Sequence, residues 1–226
     1  LYQFFGGKGQ CIHSAVIDVD RDGDLDWVGT LSNDHPFWLE NPGKTKALNG
    51  AWTPRLIDPD ITGIHCILAS DIDNDGKEDL VINNFEPAKG LADSMAWFSV
   101  PANPLNAKQW NRHIFAKGDA RGGSHYMGAG DIDGDGDLDL VIGERYPGLG
   151  AFVYENENGK FKRNKDHQIV GLVKSLYDSA AHGADANAGS DGMYSAPAFA
   201  DFDGDGDHDL FVGEQKGIIH YFKNDA

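Results

Sequence analysis

Aspartates recur at alternate positions in four short segments, Asp18–Asp26, Asp71–Asp79, Asp131–Asp139 and Asp201–Asp209, each of which reads DxDxDGxxD. Positions 1, 3, 5 and 9 are Asp18, Asp20, Asp22 and Asp26 in the first copy, and Asp71, Asp73, Asp75 and Asp79 in the second. They are Asp131, Asp133, Asp135 and Asp139 in the third, and Asp201, Asp203, Asp205 and Asp209 in the fourth. Carboxylates spaced in this way can wrap a hard cation, and Ca²⁺ takes about six to eight oxygens at roughly 2.3–2.6 Å. Position 7, occupied by Asp24, Lys77, Asp137 and Asp207, can add its backbone carbonyl. Glycine at position 6 permits a bend with positive φ that returns position 9 to the ion. Four Ca²⁺ sites are therefore expected, with Lys77 marking the second as the weakest. Without a cation the clustered carboxylates repel one another, so binding would supply folding free energy.

The competing loop is the EF-hand, which needs a bidentate Glu at position 12 and a helix on either side. Position 12 here is Gly29, Ile82, Ile142 and Val212, none of which chelates, and the flanking residues are strand-like. A merely solvated turn would account for one such segment but poorly for four intact copies.

A second constellation precedes the loops. His65 and His125 each stand six residues before the first aspartate of their copy, His13 stands five before, and Ser195 takes the place in the fourth copy. One reading is a transition-metal site or a His acid/base pair near a common axis. The other is ordinary packing within the repeat, since alternation along a strand turns His13 away from the others.

The elements that must hold these residues follow from the same register. A short apolar run precedes each loop, and another follows it: Trp27-Val28-Gly29, Leu80-Val81-Ile82, Leu140-Val141-Ile142 and Leu210-Phe211-Val212. An aromatic patch comes next, around Trp38, Trp97, Tyr154 and Tyr221, often closed by Asn at a turn. Alternating segments at Trp52–Ile57 and Trp110–Phe115, with a weaker version at Phe161, supply a fourth strand. The expectation is an all-β single domain, a β-propeller of four four-stranded blades, since radial repetition leaves only short, protected edges. Blade cores fall at about 10–58, 62–116, 122–165 and 192–226. Residues 1–6 would close the ring by pairing with the last blade, the alternative being an arc of a larger propeller. Residues 162–192 read as a surface insertion, with a short helix over 171–181.

Composition narrows the function. The chain has 19 basic and 36 acidic side chains, a formal charge of −17, which argues against nucleic acid as a partner. Four Ca²⁺ would bring that charge to about −9. No apolar run reaches the length of a membrane span, and the first residues lack the regions of a signal peptide. Cys11 and Cys66 allow one disulfide or two buried free thiols. No nucleophile elbow, P-loop or dinucleotide fingerprint is present.

The loops and their flanking strands resemble the FG-GAP/VCBS repeat family, the calcium-loop propellers of integrin α heads, fungal propeller lectins and some carbohydrate lyases and dehydratases. Of the Phe-Gly and Gly-Ala-Pro elements of integrin repeats, only Ser195-Ala196-Pro197 comes close, so the chain is more similar to the broad secreted group. The resemblance implies an extracellular or periplasmic calcium-binding module whose partner is a glycan or an extracellular protein, with Trp38, Trp52, Trp97 and Trp110 as stacking candidates that read more readily as core residues. The alternatives it leaves are a carbohydrate-active lyase or dehydratase using His13, His65 and His125, and a structural or adhesive protein.

Overall fold

The computed structural model describes residues 11–31, 34–84, 94–117, 126–143, 151–164, 196–213 and 219–224. The expected closing strand at 1–6, most of the 162–192 insertion with its helix, His125 and Ser195 lie outside the described residues.

Fifteen strands and one short 3-10 turn, Pro104–Asn106, make up the described regular structure. Strands β1 (Cys11–Ile17), β2 (Asp26–Leu31), β3 (Phe37–Glu40) and β4 (Thr53–Leu56) form one antiparallel sheet in that order. Strands β5 (Ile64–Ser70), β6 (Asp79–Asn84), β7 (Ser94–Ser99) and β8 (Asn111–Lys117) form the second. The third holds β9 (Met127–Gly130), β10 (Asp139–Gly143), β11 (Ala151–Glu157) and β12 (Lys160–Arg163). The fourth has three described strands, β13 (Ala196–Ala200), β14 (Asp209–Gly213) and β15 (Ile219–Phe222). Each sheet is a meander whose first turn is one aspartate loop. Pro54 and Pro197 both lie on outer strands, β4 and β13, where a missing N–H interrupts no central ladder.

Two compact units divide these elements: one holds β1–β8, the other the Asp71–Lys77 loop and β9–β15. In the first, Val19, Val28 and Trp38 of the first sheet meet Ile67, Leu80, Ile82 and Phe98 of the second in one buried cluster. In the second, Ile132, Val141 and Val153 meet Leu210 and Val212, with Phe199 and Phe222 at the margin. Fully burying such a side chain contributes about 1.5–3 kcal/mol. Alternation sets which residues take part: Val28 and Val141 face the following sheet, and Leu80 and Leu210 the preceding one. Asp58 adds a buried polar pin to the first unit, with Arg112 Nη1 donating to both its oxygens at 3.0 and 3.1 Å.

Three of the four tryptophans weighed as core or as stacking platforms belong to the interior. Trp38, Trp97 and Trp110 are buried, and Trp52 is half-buried with its indole N–H donating to Ala47 O at 3.0 Å. Trp38 and Trp110 lie in the cluster that the first two sheets share, and Trp97 stacks on His113 with ring centroids 3.9 Å apart. The cysteines are unbonded; Cys66 is buried and Cys11 exposed.

The edge strands β9 and β13 approach closely because β9 carries glycine. A Cβ on Gly130 would stand 2.6 Å from the Phe199 ring, and one on Gly128 would stand 3.0 Å from Pro197 O. Gly130→Ala is expected to lower stability by about 1–3 kcal/mol through overpacking. Urea denaturation of purified protein checks this, and an unchanged midpoint would contradict the packing described.

Candidate metal sites in the aspartate loops

The loops are shaped by their own carboxylates. The position 1 aspartate accepts the N–H of the position 6 glycine in three copies: Gly23 to Asp18 at 3.0 Å, Gly76 to Asp71 at 2.9 Å and Gly136 to Asp131 at 3.0 Å. Positions 3 and 5 accept amides two residues further on, as in Asp135 N to Asp133 Oδ1 at 3.2 Å and Asp137 N to Asp135 Oδ1 at 2.8 Å. This is the side-chain turn that Asp makes with its own backbone. The position 6 glycines have φ of 92°, 81°, 94° and 102°, as the motif requires. Position 4 is left-handed too, at Arg21 (φ 62°), Asn74 (57°), Gly134 (77°) and Gly204 (78°). Sequence reading missed this second bend; the Gly-x-Gly spacing of the third and fourth loops was its signal.

These two bends bring carboxylates together. Ligand oxygens of Asp18, Asp20 and Asp22 all lie within 4.8 Å of one another, as do those of Asp131, Asp133 and Asp139, and of Asp201, Asp203 and Asp205. In the second loop Asp71 and Asp73 approach in the same way. The donors are hard oxygens held by the backbone, a set that fits a divalent cation. Among the described residues, groups of three possible ligands contain carboxylates only.

Position 9 does more than the sequence implied. Its side chain is buried in every copy, and in three it bridges the loop to the end of the third strand. Asp26 Oδ2 accepts Val19 N at 2.9 Å while Oδ1 accepts Asn41 N at 2.8 Å. Asp139 does the same with Ile132 N (3.0 Å) and Asn156 N (2.8 Å), and Asp209 with Phe202 N (3.2 Å) and Asn224 N (2.9 Å). A carboxylate offers about four lone-pair sites, so these bonds leave capacity for an ion. Asp79 opens β6, buried like its counterparts.

Position 7 divides by copy. The Asp137 carboxylate accepts Asn158 N at 2.7 Å and the side-chain amide of Asn74, so it is committed to holding neighbouring turns. The Lys77 ammonium pairs with Asp75 within the second loop, as its charge suggested. An unforeseen cation enters the fourth loop: Lys223 Nζ lies 2.9 Å from Asp203 and 3.2 Å from Asp205. Lys223 is 14 residues beyond Asp209, at the end of the third strand, and no motif tied it to the loop.

Of the three histidines, His13 and His65 fall among the described residues. His13 Nδ1 lies 2.9 Å from Ile67 O and 3.7 Å from Cys66 Sγ, a packing contact between β1 and β5. His13 and His65 each fall in a register shift of their strand, between Cys11 and Ser14 and between Ile64 and Cys66.

Burial pushes the Asp139 carboxyl up to about 7 and the Asp26 carboxyl up to about 6, against the pull of their amide hydrogen bonds. Asp20 and Asp133 are also raised, first by burial and then by the carboxylates of Asp22 and Asp135. An acid whose pKa rises on folding adds stability while it stays protonated in the fold. That contribution is complete below the ordinary aspartate value and is lost as pH climbs through about 6 to 7. In chelator, the melting temperature is expected to fall as pH rises from about 4 to 7, with a shallower slope in Asp139→Asn. A melting temperature that climbs through that window, or an equal slope in the variant, would count against the buried, uncompensated carboxylates.

Residues 18–82 and 131–212 match the family model described as FG-GAP-like repeat. No curated protein matches the chain. The two matched stretches contain all four aspartate loops and together cover more than half of the sequence, so the chain belongs to the FG-GAP-like repeat family.

Proposed function

We propose that this chain is a calcium-binding repeat module in which each aspartate loop holds one Ca²⁺ and each sheet serves as a propeller blade. The observation that carries the reading is the convergence of loop carboxylates within 4.8 Å of one another, on a backbone bent twice to allow it. Side chains at positions 1, 3, 5 and 9 would be the ligands, with the position 7 carbonyl beside them. Bound calcium would supply the positive charge that these carboxylates lack. The residues themselves do the rest: position 9 ties the ion-binding loop to the third strand, and the glycine amide orients position 1.

Several features favour Ca²⁺ over Mg²⁺. The donors are many, anionic and arranged on an irregular loop, whereas Mg²⁺ demands near-ideal octahedral geometry and keeps its waters. Loops of this kind suit the millimolar calcium outside cells, which supports a secreted or periplasmic setting. No helix among the described residues is long and apolar enough to cross a membrane. A role as a binding module, for an extracellular protein or a glycan, follows by analogy with the family, and the buried tryptophans remove aromatic stacking by Trp38, Trp97 and Trp110 from the case for glycans.

Calorimetry with and without calcium tests the reading. Saturating calcium is expected to raise the melting temperature, each site adding about 2.7 kcal/mol at a hundredfold excess over its dissociation constant. Titration should find up to four ions, the weakest at the second loop, and Lys77→Asp should tighten that site. Identical melting curves in calcium and in chelator would refute the proposal.

A further inference from the structure

Within each unit, one face of a sheet is covered by the sheet that follows it in sequence. The covered face is built from equivalent positions: loop position 2, the middle of the second strand, and its partner on the third. In the first sheet these are Val19, Val28 and Trp38, and in the third Ile132, Val141 and Val153, all buried. The pairings Val28 with Trp38 and Val141 with Val153 show that the register is the same.

In the fourth sheet the equivalent residues are Phe202, Phe211 and Tyr221, with Phe211 paired to Tyr221. All three are aromatic, yet Phe202 is 69% and Tyr221 44% exposed, and Phe211 is half-buried. The three rings pack on one another with centroids 5.0–5.6 Å apart and form a continuous apolar surface. The opposite face of this sheet, with Leu210 and Val212, is the one buried against the third.

The first sheet shows the reverse asymmetry. Leu80 and Ala69 in the second sheet, and Leu210 and Phe199 in the fourth, pack against the sheet before them. Their counterparts in the first sheet are Trp27 and Val16. Val16 is 57% exposed, and Trp27 is half-buried, its ring turned over Gly29 and against Phe37 at 5.5 Å. One sheet therefore presents a forward face and another a backward face, each of the kind that meets its complement inside the units.

A polar contact has the same direction. Asn156 Nδ2 donates to Ile72 O at 2.9 Å and Asn224 Nδ2 to Ile132 O at 3.5 Å, so the Asn closing a third strand reaches position 2 of the preceding loop. The counterpart on the first sheet is Asn41, and the position 2 carbonyl of the fourth loop is that of Phe202.

We propose that the Phe202–Phe211–Tyr221 face is the seat for the first sheet of a second copy of this chain, bound head to tail through Val16 and Trp27, with Asn41 reaching Phe202 O. A contact of this type is heterologous, so copies add in one direction and either close into a ring or extend. The interface continues the sheet-on-sheet packing already present in each unit, and none of the side chains that form it, Phe202, Phe211, Tyr221, Val16 and Trp27, is among the proposed ion ligands.

Sedimentation over a wide concentration range tests this, in calcium and again in chelator. The chain is expected to self-associate, and Phe202→Asp or Val16→Asp should each weaken association by about thirtyfold or more. Each variant keeps one good face, so mixing the two should restore a dimer that neither forms alone. Circular dichroism and melting of each variant show whether it is folded, and the milder Phe202→Ser serves if the aspartate variant is not. A chain that stays monomeric throughout, or variants that associate as the parent does, or a mixture that fails to pair would overturn the proposal. A monomer that Phe202→Ser destabilises would show that the chain covers this face itself, and would overturn it too. None of these outcomes bears on calcium titration, so the two readings fail separately.

Discussion

Beneath three of the described loops a buried carboxylate joins two backbone amides that lie far apart in sequence, one in the loop and one at the end of the third strand. Removing a carboxylate from water is costly unless hydrogen bonds or a counter-charge replace the lost hydration. Two N–H donors meet part of that need, while burial still holds the carboxyls of Asp26 and Asp139 above the usual aspartate value. In the first and third loops the position 9 aspartate is thus both a fastener and an unbalanced charge. Its placement fixes where the loop returns to the sheet, and with it the direction in which positions 1, 3 and 5 point.

Most of the strand order was legible because the repeat supplies four independent copies of each signal. The loop motif sets the first turn, and the runs around Val28, Val81, Val141 and Phe211 became second strands as expected. The aromatic patches became third strands, and even the weak Phe161 signal fell in a real fourth strand, β12. Position 12 residues lie in strands, in keeping with rejection of the EF-hand.

What escaped were contacts between residues distant in sequence and choices between two uses of one side chain. Lys223 reaches the fourth loop from the far end of β15, a distance no local pattern encodes. Asp137 repeats the acidic type of Asp24 and Asp207, yet its carboxylate holds Asn158 N. Tryptophan has the same composition signature whether it stacks on a ligand or fills a core, and here Trp38, Trp97 and Trp110 are buried. The register shifts at His13 and His65 were likewise not encoded in their spacing from the loops.

The stacked sheets of each unit invite description as a sum of terms for each sheet and terms for each contact between neighbours. Loop chemistry would then act on the first kind and apolar faces on the second, and the two would be independent. Ile132 shows why they are not. Its N–H is held by Asp139, its side chain lies in the cluster with Val141 and Leu210, and its C=O accepts Asn224 of the next sheet. Any change in charge at the loop that moves Asp139 moves this residue, and so reaches the interface through one short backbone segment. Val19 stands at the same junction in the first unit, held by Asp26 and packed among residues of both sheets. Position 2 carries no ligand atom and no charge, yet through it the state of a loop is felt by the neighbouring sheet.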